Sequence, residues 1–94
     1  MIIGTLGFKK QEQQLFLSPK GEHRTHRGTI PLEPGMNFEI SLAGIWIPVQ
    51  LRVEYGEGNM ITSLLFVTST SSFCGFAPGM VVRLLQLPEE VENE

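Results

Sequence analysis

The sequence contains no aspartate, and its 94 residues include one cysteine, Cys74. A lone thiol excludes an internal disulfide and the multi-thiolate metal sites that small chains use in place of a core. Charge is scarce as well, 18% of residues against 41% hydrophobic, a balance outside the disordered class, so most of the chain should fold. Long apolar runs are missing: Ile45 to Val49 and Ser63 to Val67 fall far short of the roughly 20 residues that span a bilayer. No membrane association is expected. Met1-Ile2-Ile3-Gly4 follows no basic stretch, and no small-residue cleavage site comes after a hydrophobic segment, so the default location is cytoplasmic. A P-loop, a paired-glycine dinucleotide fingerprint and a cluster of acidic metal ligands are all absent. Neither a self-contained enzyme nor a cofactor is expected.

The charge that is present lies unevenly. Of the net −3, Glu89, Glu90, Glu92 and Glu94 carry −4, which leaves residues 1–88 with seven basic and six acidic side chains. A chain this short encloses one modest core. The reading is therefore a single near-neutral domain over 1–88 and a disordered acidic tail over 89–94.

Helical spacing never persists for more than two turns, and glycine and proline recur throughout, so strands fit better. Met1 to Phe8 and Gln14 to Leu17 read as strands around a polar turn, Gly28 to Leu32 as another, and Ser18 to Arg27 as a loop between them. Pro34-Gly35 has the residues a type II turn asks for, a fixed φ followed by a positive one. After it, Phe38, Ile40 and Leu42 alternate with polar residues, Ala43-Gly44 turns the chain, and Ile45, Ile47, Val49, Leu51 and Val53 alternate in their turn.

A two-residue loop pairs Leu42 with Ile45, Ile40 with Ile47 and Phe38 with Val49, putting every large aliphatic on the inner face. Trp46, Pro48, Gln50 and Arg52 then face out. Ala43 is a poor first residue for such a turn because it needs a positive φ, and a three-residue loop with Gly44 left-handed competes. The two-residue register is preferred, since burying each Leu or Val contributes about 1.5–3 kcal/mol. Met60 to Val67 reads as a further strand, Thr68 to Ser72 as a loop, and Ala77-Pro78-Gly79-Met80 repeats the grammar of Glu33-Pro34-Gly35-Met36 to launch a last strand. Five to seven short antiparallel strands with tight turns point to an all-β small barrel, because closing the sheet removes unpaired edges.

Pro34-Gly35 followed by Gly44-Ile45-Trp46-Ile47-Pro48 resembles the opening half of SH3-like and Tudor-like barrels. With Gly4-x-Leu6 and Gly79-x-Val81-Val82-Arg83 added, the pattern resembles an uncharacterised family of short bacterial domains of unknown function, often carried by mobile elements. That resemblance covers most of residues 1–87 and implies an SH3-like barrel with no activity attached. Tudor-type readers hold a methylated lysine in an aromatic cage. The hairpin position of their cage ring is Ile47 here, with only Trp46 nearby.

Two surfaces stand out as candidate sites. Lys20, His23, Arg24, His26 and Arg27 place three cations and two imidazoles within eight residues, a composition suited to an anion or to nucleic-acid phosphates. A solvated loop is the plain alternative. His23 and His26 supply at most two metal ligands where a structural zinc site needs four, so no metal is expected. Trp46, Gln50 and Arg52 combine an indole with a long cation on one outer strip, the composition of many protein-binding hot spots. Cys74 has no activating base near it in sequence and reads as inert and partly buried.

The expectation is thus a non-enzymatic module that binds an unidentified protein through the Trp46 face or the basic loop, in a bacterial or mobile-element setting. The first alternative is nucleic-acid binding through the basic loop 20–27. The second is a homo-oligomer in which identical barrels enclose a ligand pocket or active site, as in the plasmid-type dihydrofolate reductases, which resemble this chain only in size and fold.

Overall fold

A computed structural model describes residues 1–21 and 28–85. Its architecture is all-β, one antiparallel sheet of eight strands: β1 (Ile2–Lys9), β2 (Gln14–Pro19), β3 (Ile30–Leu32), β4 (Asn37–Leu42), β5 (Ile45–Tyr55), β6 (Ile61–Val67), β7 (Phe73–Gly75) and β8 (Val81–Leu84). The strand order β3-β2-β1-β8-β4-β5-β6-β7 is two meanders joined through the last strand. β8 pairs Ile2 with Leu84 on one side and Ile40 with Val82 on the other.

The sheet curls into a half-barrel around one apolar core. Leu6, Leu17, Leu32, Ile40, Leu51, Phe66, Val82 and Leu84 are all buried there, drawn from seven of the strands. Phe38 and Phe66 meet edge to face at its centre, with ring centroids 5.8 Å apart and planes at 71°. Such contacts fit the ring quadrupoles, positive edge against negative face.

Eight strands exceed the five to seven expected. The extra one is β7, three residues between a Ser/Thr-rich loop and Phe76, too short to show a period of two. The sheet margins, β3 and β7, are not hydrogen-bonded to each other among the described residues. One side chain ties across the open side instead: the Gln13 side-chain oxygen accepts the Ile61 N–H at 2.6 Å. The Gln14 amide donates to the Leu32 carbonyl at 3.0 Å within the β2–β3 pair.

The β4–β5 hairpin has the two-residue loop. Leu42 faces Ile45, Ile40 faces Ile47 and Phe38 faces Val49, and both loop residues are left-handed, Ala43 at φ 52° and Gly44 at φ 78°. The burial of all five β5 aliphatics needs correction. Val49 and Leu51 are buried and Ile47 and Val53 half-buried, but Ile45 is 62% exposed and its partner Leu42 39%. The cause is length: β6 pairs with β5 only from Gln50 onward, so the hairpin tip projects past the strands that would cover it.

The Pro-Gly-Met echo is structural. Gly35 (φ 92°) and Gly79 (φ 87°) each sit third in a turn closed by a backbone bond, Met36 N–H to Glu33 O at 3.1 Å and Met80 N–H to Ala77 O at 3.2 Å. In both turns the methionine sulfur folds back to accept the first residue's N–H, from Glu33 at 3.0 Å and from Ala77 at 3.2 Å. Position three needs a positive φ, which glycine adopts without a Cβ penalty.

Candidate functional site

Among the described residues the core holds no polar or charged side chain, so any chemistry lies on the surface. The outer face of β8, β4 and β5 is the most structured part of it. Register places residues there in rows: Arg83 of β8 opposite Glu39 of β4, Glu39 opposite Pro48 of β5, and Ser41 opposite Trp46.

Arg83 organises this face. Its Nε donates to Glu39 Oε1 at 2.6 Å, a second guanidinium nitrogen contacts the same oxygen, and the guanidinium carbon lies 4.4 Å from the Trp46 ring centroid. A planar cation can stack on an indole while its edge donates to a carboxylate, which an ammonium cannot do. Trp46 faces outward as its parity predicts, but half-buried beneath Arg83 rather than open.

Arg83 was absent from the candidate residues. It lies 37 positions after Trp46, and only the insertion of β8 beside β4 brings the two together. The sequence around it, Val81-Val82-Arg83, carries no signal that names the neighbour.

Arg52 lies on the same face as Trp46 and is exposed. Six residues of extended chain separate them, roughly 20 Å, so the two do not form one compact spot. Gln50 stands between, its amide donating to the Gly35 carbonyl at 3.2 Å. Gln50 and Arg52 instead line an open groove of about 420 Å³ with Asn37, Pro48, Thr68 and Leu85.

One wall of the groove is the β6–β7 loop. Thr68 closes it through its N–H to Ser72 O at 2.8 Å, and its hydroxyl accepts the Ser72 N–H at 3.2 Å. Hydroxyl-rich composition, read from sequence as a bare loop, here makes a turn held by its own side chains.

Of the basic cluster, Lys20 is exposed just after β2. His23, Arg24, His26 and Arg27 lie outside the described residues, as does the acidic tail. Among the described residues no three His, Cys, Asp or Glu side chains gather around a common point that could hold a metal ion. Cys74 is partly buried, opposite Phe66 on β7 and packed against the core. No helix among the described residues is long and apolar enough to cross a membrane.

No family model, curated protein or solved structure matches this chain.

Proposed function

We propose that this chain is a non-enzymatic protein-interaction module that receives a partner in the groove on the outer face of β4 and β5. The observation that carries the reading is the position of Arg52, an exposed cation lining a concave surface that Pro48 and Gln50 also line. Arginine next to apolar surface gives a partner both contact area and a directional donor set. Arg83, satisfied by Glu39 and Trp46, serves the groove as a support.

The finer reading of the curl as an SH3-like barrel rests on the hairpin, with Pro34-Gly35 ahead of β4 and Gly44-x-Trp46-x-Pro48 opening β5. Among the described residues the outer face pairs no nucleophile with a base, which favours binding over catalysis.

Affinity capture with the intact chain and with Arg52→Glu tests the reading. A partner held by the native chain and lost by the variant, at unchanged Tm, is the expected result. Equal capture by both chains, or no specific capture, rejects it. Arg52 suits this test better than Trp46, whose loss also removes the support of Arg83.

A further inference from the structure

We infer that the chain self-associates by pairing the first half of β5 with the same segment of a second copy, antiparallel about a two-fold axis beside Trp46. β5 extends from Ile45 to Tyr55, but β6 accompanies it only from Gln50 to Tyr55. Along Ile45 to Val49 the side away from β4 has no strand partner among the described residues.

Which backbone groups face that open side follows from parity. Leu51 donates its N–H to the Met36 carbonyl at 2.9 Å and accepts the Gly35 N–H at 2.8 Å, so its amide and carbonyl point toward β4. Backbone direction alternates along an antiparallel strand. Val49, Ile47 and Ile45 therefore also point toward β4, while the Trp46 N–H, the Trp46 carbonyl and the Pro48 carbonyl point to the open side.

Strand edges are ordinarily guarded by charge, by proline or by shortness. The other two margins are: β3 has Pro31 at its centre and only three residues, and β7 also has three. The β5 edge has no charged residue from Leu42 to Val49, and its proline stands near the far end.

A second copy fits this edge because the segment complements itself. With Trp46 opposite Trp46 of the other copy, each indole residue's N–H meets the other's carbonyl, making two backbone hydrogen bonds. Ile45 then stands opposite Ile47 of the other copy, twice over, and the exposed Ile45 side chain is covered by a β-branched neighbour. Pro48 falls opposite Gly44, where the strand ends, so its missing N–H forfeits one bond at most. The strip itself is uncharged, and the cation nearest the axis, Arg83 on the Trp46 ring, is already paired with Glu39; an isologous contact closes after two copies.

Light scattering of the full chain, from dilute solution up to about 100 μM, a range that reveals dissociation constants from micromolar downward, reads the outcome directly. The expected result is a rise to twice the chain's mass, and a return to the single-chain mass in Ile45→Lys, whose side chain makes no core contact. Amide exchange in the native chain supplies a readout that needs no variant: Trp46 N–H protection should rise with concentration. A single-chain mass throughout, or Trp46 exchange independent of concentration, overturns the inference, as does a dimeric Ile45→Lys. Arg52→Glu should leave the mass unchanged, so loss of groove binding and loss of self-association are told apart.

Discussion

Arg83 lies flat over Trp46, its guanidinium carbon 4.4 Å from the ring centroid, while the same side chain holds Glu39. This three-residue stack ties the C-terminal strand to the central hairpin from outside the core. Arg83→Lys keeps the charge but loses the planar fork. With a stack contributing about 0.5–2 kcal/mol and a charged hydrogen bond about 1.5–3 kcal/mol, the variant should lose about 1–3 kcal/mol in urea unfolding. Trp46 is the sole tryptophan, so its emission reports the change directly, with a shift to longer wavelength as the ring is uncovered.

Ala43 occupies a left-handed conformation, φ 52°, that costs a residue with a Cβ about 1–2 kcal/mol. Asn tolerates this region better, and Asn-Gly is the favoured pair for this loop. Ala43→Asn should raise Tm by several degrees, about 0.5–1 kcal/mol of stabilisation. A lowered Tm would contradict the two-residue turn.

Gly4 and Gly7 lie on the same strand and differ in what surrounds them. A Cβ at Gly4 would come 2.2 Å from the Ser18 carbonyl oxygen, which is backbone of β2, whereas one at Gly7 would meet the Phe16 ring at 2.4 Å. The ring can swing toward solvent, giving up its contact with Lys9, and the backbone cannot move without parting the strands. Gly4→Ala should therefore lose soluble expression or most of its unfolding transition, while Gly7→Ala stays folded with a lower Tm. Thermal melts of the two variants side by side decide it.

Phe66 is completely buried and meets Phe38 edge to face. Removing its ring should cost about 3–5 kcal/mol against a total of about 5–15 kcal/mol for a domain. Phe66→Ala is expected to unfold well below the native midpoint in urea, with Phe66→Leu in between.

Much of the fold was legible because side-chain parity is a strong constraint. A one-residue slip in the hairpin would have turned either Phe38 and Ile40 or Val49 and Leu51 to solvent, and that cost outweighs an unfavourable Ala43. Parity does not say where a neighbouring strand stops, which is why Ile45 could not be told from Ile47. β7 escaped notice because three residues carry no period. On the outer face, alternation identified Trp46, Gln50 and Arg52 as outward residues but not the groove, which depends on a loop and on β8. Arg83 was hidden for the same reason: its neighbours are fixed by strand order, and order is a property of the whole sheet.

Of the described strands, the one that joins the two meanders is the last to be made. Each meander consists of sequential hairpins, able to form from contacts near in sequence, but Ile2 reaches Leu84 and Glu39 reaches Arg83 only across long separations. Pairings of that kind are slow, because a large loop must close before they form. On the ribosome, a nascent chain that has not yet emerged through residue 84 holds two half-sheets with β1 and β4 unzipped along their facing sides. Completion then resembles the insertion of a single ribbon between two waiting edges, and the interval before it is when this protein is most open to chaperones, proteases and wrong partners.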